Sequence, residues 1–429
     1  MNGRLAAVVA VLFATGLLPV AGAAGTIAIV GGRVHTISPA GVIERGTVLI
    51  RDDLIVAVGA DVSVPGDAHV VDAKGAWVTP GIFNAYTHLG LVENEDVRST
   101  MDHEAPGAPF AAGFDVQRGV NRYSTLIPIA RLRGVTRAAI FPLATRSIFG
   151  GLGALIRLDS GDAAVFKPRV AVFVELGARG AKLGGGARGA AWSTLAIALD
   201  EAQAGRDKPQ RKMRESKADL DAAASGSIVS GEAALLAHVE RAADILNALA
   251  LRERYPKLRL VLLGANEGWM VAEKIAAARV PVIVDSFANL PIDFETMGAT
   301  QENAARLARA GVLIAIAPLY RFHAATPHNA GLVTQYAGNA VAYGLPWEES
   351  LRAVTLNPAL MFGVADRLGS LEPGKIADIV VWSGDPLELA SRPDAVFIAG
   401  RQLPMVSRQT RLRDRYRQLS GPTPFSYRY

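Results

Sequence analysis

Residues able to do chemistry gather first in the stretch Thr79-Pro-Gly-Ile-Phe-Asn-Ala-Tyr-Thr-His-Leu-Gly90. An apolar run, Ala76-Trp-Val-Thr79, leads through Pro80-Gly81 into a short strand-like segment that carries Asn84, Tyr86 and His88. Alternate residues of a strand share a face, so a carboxamide, a phenol and an imidazole project together into whatever the strand lines. The chain has no cysteine, which removes thiolate metal ligands, disulfides and a cysteine nucleophile. No Gly-x-Ser-x-Gly elbow stands in the central region, so Ser-His-Asp hydrolysis has no support.

The elements that must position these residues fall into three blocks. From 26 to 78 the sequence reads as short strands broken by turns: Ile27 to His35 across a Gly31-Gly32 turn, Gly46 to Arg51 and Leu54 to Gly59 across Asp52-Asp53, His69 to Asp72, then Ala76 to Val78. Such a block is too small for a rich core alone and needs a partner surface. The partner is at the far end, where Gly369 to Trp382 is a turn into a strong strand and Asp394 to Leu403 is a strand pair across a glycine. Between the two, buried strands (134–141, 170–174, 258–263, 280–285 and 312–317) alternate with helical spacing at 267–278, 300–310 and 346–355. That alternation argues for a parallel sheet with crossover helices. A TIM-type (β/α)8 barrel suits the number of repeats and puts its chemistry at the strand C-terminal ends. A doubly wound open sheet is the alternative, but no Gly-rich nucleotide loop follows the first strand.

The 429 residues, half of them apolar, suffice for a large buried core. A net charge of +5 on this length leaves no nucleic-acid footprint, and the basic tail over 406–429 reads as a solvated helix. Residues 1–24 have a targeting pattern: Arg4, an apolar run from Leu5 to Leu18, and a small-residue site at Ala21-Gly-Ala23. The run is short for a span of about 20 residues, so a cleaved signal peptide and export, in a bacterium to the periplasm, are expected; an uncleaved N-terminal anchor is the alternative. The segment 177–231, with Gly184-Gly-Gly186 and the charged run Arg206 to Lys217, reads as an insertion on a barrel loop, exposed and mobile. The reading is thus a leader over 1–24, a β-sandwich from 25–79 and 363–405, a barrel over 80–362, and the tail.

Several segments, in order, resemble the amidohydrolase superfamily and its imidazolonepropionase-like group. They are Pro80-Gly81, Gly150-Gly-Leu-Gly-Ala154, Ala237-His-Val-Glu-Arg-Ala-Ala-Asp-Ile245, Gly344 to Ala359, and the return strand Gly-Ser-Leu-x-Pro-Gly-Lys-x-Ala-Asp ending at Asp378. In the family Lys375 and Asp378 have structural positions. The resemblance implies one or two divalent metals, zinc foremost, held by a His-x-His pair on strand one, a Lys or Glu on strand four, histidines ending strands five and six, and an Asp ending strand eight. Such a metal lowers the pKa of a bound water to about 7 and polarises the scissile carbonyl, and the Asp takes the water's proton.

Position by position, His88 matches the second histidine of the pair and His238 the strand-five histidine. Tyr86 replaces the first histidine, and a phenol of pKa about 10 is a poor ligand at neutral pH. Asn84 stands where an Asp often precedes the pair; Gly264 stands at the strand-six histidine; the strand-eight run Ala315-Ile-Ala-Pro-Leu319 has no Asp. Glu175, Lys167 and Lys182 are the strand-four candidates. A replacement constellation at the mouth would draw on Glu93, Glu95 and His103, on Asp285 after strand seven, and on Tyr320, Arg321, His323 and His328. Two readings follow: a hydrolase of cyclic amides or peptide-like C–N bonds with one altered divalent centre, or a barrel with no metal that has lost catalysis. The second would serve as a binding protein for a small or peptide-like ligand, or as partner of a catalytic homologous subunit.

Overall fold

The computed structural model describes residues 25–159, 161, 164–206, 217–319 and 327–417. The expected leader and the candidates Tyr320, Arg321 and His323 lie outside the described residues, as does most of the charged run after Arg206. Among the described residues, no helix is long and apolar enough to cross a membrane.

The N-terminal block forms β1 (Thr26–His35), β2 (Val42–Arg51), β3 (Leu54–Gly59), β4 (His69–Asp72) and β5 (Trp77–Pro80). The chain then runs through β6 (Ile82–Thr87), α1 (Leu126–Arg131), β7 (Val135–Ile140), β8 (Phe149–Arg157) and β9 (Val165–Glu175). Three helices follow, α2 (Ala178–Leu183), α3 (Arg188–Arg206) and α4 (Lys217–Ser230). Next come β10 (Ala234–Val239), α5 (Ala242–Arg254), β11 (Leu260–Gly264), α6 (Ala272–Ala277), β12 (Val282–Val284), α7 (Asn303–Arg309) and β13 (Ile314–Ile316). The chain closes with α8 (Val333–Ala342), α9 (Trp347–Ala353), α10 (Leu356–Met361), β14 (Ile379–Trp382), β15 (Pro393–Ile398), β16 (Arg401–Leu403) and α11 (Arg408–Arg417).

The two chain flanks share one sheet of order β16-β15-β14-β5-β1-β2-β3, with β4 paired to β1. Its centre is the antiparallel ladder of β14 on β5, from Ile379↔Pro80 to Trp382↔Trp77. An antiparallel bridge between Leu54 and Ile376 brings the β3 edge back toward β14, so the sheet folds over one apolar core. Ile29, Val34, Val48, Ile50, Val78, Ile379 and Phe397 fill that core. Neither block could cover this surface alone.

The second sheet runs in chain order from β6 to β13, and β13 lies against β6, which nearly closes a (β/α)8-type barrel. The ladders are parallel except at β8, which is antiparallel to both β7 and β9. The simple βα repeat fails there because residues 141–148 hold no crossover helix, and a short link returns the chain antiparallel. Every residue from Phe149 to Ile156 is buried, so hydrophobicity alone carries no directional signal.

The stretch read as an exposed, mobile insertion makes the helical crossover from β9 to β10. Ala191, Leu195 and Leu199 of α3 and Ile228 of α4 are buried in the main core. At the junction of sheet and barrel, Gly81 approaches Thr136 so closely that a Cβ there would lie 2.2 Å from its Oγ1. The Pro80-Gly81 step therefore serves close packing of β6 on β7.

Candidate functional site

The C-terminal ends of β6, β9, β10, β11 and β12 meet at one mouth. On β6, Asn84 is fully buried and spent on structure: its Nδ2 donates to Ala330 O at 2.9 Å and its Oδ1 accepts from Tyr86 N at 3.1 Å. Tyr86 packs as a core aromatic, its ring stacked on Phe141 with centroids 5.4 Å apart and planes within 10°. Burial, and then the Glu175 charge, raise its phenol well above the usual value, so it stays protonated. His88 Nδ1 donates to Phe141 O at 2.7 Å, which leaves Nε2 with the lone pair. Burial pushes His88 down to about 4, against the support of that hydrogen bond. His103 leans on it with ring centroids 4.6 Å apart and is pushed down to about 3, by burial first and then by the neighbouring His88 and arginine charges.

The second cluster centres on His238. Its register partner on β9 is Glu175, whose carboxylate receives His238 Nδ1 at 2.8 and 2.9 Å. On the other side Nε2 donates to Glu240 Oε1 at 3.1 Å. Burial disfavours the charged ring, but the two carboxylates outweigh it and raise the pKa well above the ordinary histidine value. His238 is thus an imidazolium with both N–H groups engaged. Of the strand-four candidates, only Glu175 reaches this cluster: Lys167 donates to Phe362 O and Gly363 O at 2.9 Å, and Lys182 sits on α2. Glu240 also accepts from Asn266 N at 3.1 Å.

Asp285, just past β12, accepts from Phe287 N at 2.8 Å and Leu319 N at 3.1 Å. Burial pushes its carboxyl up to about 6, with Glu240 adding to the rise and the backbone donors opposing it. Glu240, Asn266 and Asp285 line a cavity of about 560 Å³ over β10–β13, walled by residues 287–301, Leu319 and Tyr336. Glu93 is not among its lining; it accepts from Asn121 Nδ2 at 2.9 Å in the loop before α1. Glu295, from the same wall, accepts from Ala178 N at 2.6 Å and Arg188 Nη2 at 2.9 Å and so ties the wall to α2 and α3.

The divalent ion implied by the resemblance needs three or more donor lone pairs with an open position. His88 offers Nε2, but His238 has no lone pair while it stays doubly protonated, and Tyr86 keeps its proton. At Gly264 a Cβ would meet the Glu240 carboxylate at 2.9 Å, so Glu240 occupies the space of a strand-six side chain. Beyond β13, Ala317 offers no donor at the strand-eight end. Among the described residues no group of three or more His, Asp or Glu side chains is arranged to hold a metal ion. The donor set of the described residues does not fit a divalent ion held in the manner of the family.

Sequence reasoning missed Glu240 and the role of Asn266. Glu240 was legible as the i+2 neighbour of His238, because two positions on share a strand face. Asn266 was visible only as a polar residue beside an expected histidine position.

Comparisons with known proteins bear on the frame. The profile described as Amidohydrolase family matches residues 270–405. Imidazolonepropionase of Mesorhizobium japonicum is 24% identical over 402 residues, covering 82% of this chain and 90% of that relative. The crystal structure of an amidohydrolase from Thermotoga maritima superposes with a TM-score of 0.78 at 25% identity, covering 88% of this chain and 99% of that one. Urease subunit alpha of Staphylococcus aureus shares 46% identity over 46 residues, 11% of this chain and 8% of that relative. With a flank-built sheet beside a near-closed barrel, and relatives that align along 82% and 88% of its length, the chain belongs to the amidohydrolase superfamily.

Proposed function

We propose that the barrel mouth is a small-molecule site on an amidohydrolase frame, and that it does not run the metal-dependent hydrolysis the family is built around. One observation carries the reading. Both nitrogens of His238 are spent on Glu175 and Glu240, so the strand-five ligand of the family is here a half-buried cation between two anions. With both nitrogens engaged, the ring has no free lone pair, and a divalent ion would have to displace its protons to bind there. The cavity beside it, with carboxylates, carboxamides and an aromatic wall, suits a small amide-bearing or peptide-like molecule. Elemental analysis of the purified chain tests this: substoichiometric zinc, manganese, iron and nickel are expected, with no zinc retained after incubation in excess and desalting. Stoichiometric metal that is lost in His88→Ala and His238→Ala would sink the reading.

Hydrolysis of a C–N bond through an altered centre is the second reading. Family membership favours it, and so does Asp285, whose carboxyl at about 6 can hold or release a proton near neutral pH. Under it, turnover of small amides or dipeptides is measurable and Asp285→Asn reduces it by about a hundredfold or more; under the first there is no turnover to lose. We also propose export, to the periplasm in a bacterial host, on the apolar run and Ala21-Gly-Ala23 of the leader. N-terminal sequencing of protein recovered from a periplasmic fraction should start near residue 24.

A further inference from the structure

We infer that the mouth cavity selects a small organic ammonium with an apolar body, over neutral and anionic molecules of the same shape. This deepens the small-molecule reading above and rests on it. The first ground is charge. The described residues lining the cavity include two carboxylates, Glu240 and Asp285, and no lysine, arginine or histidine. Among the described residues, His238 bridges Glu175 and Glu240 and so offsets part of that charge without presenting an N–H to the cavity. Asp285 keeps its two backbone donors and, at neutral pH, most of its negative charge.

The second ground is independent of charge. Asn266 is 8% exposed, yet its carboxamide makes no hydrogen bond within the described protein; only its backbone N–H is used, toward Glu240 Oε2. Its side chain lines the cavity and its carboxamide atoms are open to it, so a bound molecule can reach them. An ammonium carries three donors and no acceptor. Acceptors for it stand at three consecutive strand ends: Glu240 after β10, Asn266 after β11 and Asp285 after β12.

The third ground is the opposite wall. Phe287 and Tyr336 meet edge to face with centroids 4.4 Å apart, and Leu290 and Leu319 extend the apolar surface. Leu290 and Ile292, 76% and 48% exposed, leave apolar surface open on that wall. Aromatic rings beside carboxylates favour a cation with a hydrocarbon body.

The test uses the purified full chain and three ligands of one shape: phenethylamine, phenethyl alcohol and 3-phenylpropionate. Calorimetric titration at pH 7.5 should show saturable binding of the amine, with the alcohol and the acid at least about tenfold weaker. Asp285→Asn should weaken the amine by about tenfold and leave the alcohol unchanged. Asn266→Leu, which keeps the volume and removes the acceptor, should do the same and covers the case in which the aspartate variant fails to fold. Equal binding of all three, preference for the acid, or no heat from the amine at millimolar concentration would each overturn the inference. Metal content of the same samples separates two failures. Metal-bearing protein defeats the metal-free reading whatever the amine does, whereas metal-free protein that ignores amines defeats only this selectivity.

Discussion

At the scale of single residues, the chemistry of each histidine is set by what surrounds it. His88 keeps a lone pair but is deep and neutral; His238 keeps its place but is locked as a cation. Tyr86 is a packing residue: its ring fills space against Phe141 and Phe173. Tyr86→His therefore restores one imidazole and no more, since Gly264 and Ala317 still offer nothing. Zinc content by elemental analysis should stay substoichiometric in that variant, while removal of a buried ring lowers stability by about 2–4 kcal/mol. The imidazolium gives a sharper expectation. Glu175 is 3% exposed, and Glu175→Ala would leave His238 with Glu240 as its one remaining carboxylate partner among those seen here. Breaking one partner of a buried charge pair costs about 3–5 kcal/mol. Urea denaturation should show a loss for Glu175→Ala, which still leaves His238 paired with Glu240, and a larger one for His238→Gln, which leaves two buried carboxylates without the cation between them; a smaller loss for His238→Gln would argue that the ring is neutral.

At the scale of elements, strands with one polar face and the helices α6, α7 and α9 were legible, and the crossover from β9 to β10 was not. The β6 segment could be read from Asn84, Tyr86 and His88 because period-two alternation is a direct geometric statement. The α3–α4 crossover was misread because Gly- and Ala-rich sequence with a charged run has the composition of a loop, while Leu195, Leu199 and Ile228 find their partners only in the folded barrel. The cavity wall at 287–301 was invisible for a related reason: a loop has no period to read, and Asp285 alone announced it. Histidine placement across elements yields a pH prediction. His35, at the end of β1, stacks on Trp77 with centroids 4.5 Å apart and faces Trp347 of α9 at 4.8 Å. Burial, helped by Arg33, pushes it down to about 4. In the unfolded chain it titrates at about 6.5, so below that pH the unfolded state takes up a proton that the folded state refuses. Stability from this residue is complete above pH 6.5 and is lost as pH falls toward 4, with about 2 kcal/mol gone by pH 5. Thermal melts at pH 7.5 and pH 5 should therefore converge in His35→Phe relative to the parent. An acid limb of unchanged size would show that His35 is not its source.

At the scale of the whole molecule, the barrel is held to the flanking sheet by a few buried polar links within a large apolar joint. The return-strand residues were legible as structural, and their partners show why. Asp378 pairs with Arg137 of β7 at 2.5 and 3.0 Å, with side chains 6% and 4% exposed, and also accepts from Ala399 N at 2.9 Å. The carbonyl of Asp378 itself, just before β14, accepts from Gly81 N at 2.8 Å, so the same turn fixes the start of β6. Trp382 Nε1 donates to Thr79 Oγ1 at 2.9 Å along the adjoining strand. What no sequence could announce is that Arg137, in the middle of an apolar strand, is the counter-charge, because the two lie 241 positions apart. The pair can be weighed. Asp378→Ala strands a buried guanidinium and should cost about 3–5 kcal/mol, whereas Arg137→Met with Asp378→Leu replaces both charges by apolar bulk and should recover most of that loss. Recovery stays incomplete, because Ala399 N–H loses its acceptor in either variant, a cost of about 1 kcal/mol. Urea denaturation of the two single variants and the double should give a coupling of opposite sign to the single losses; strict additivity would mean that the joint rests on packing alone and that the ion pair is incidental to it.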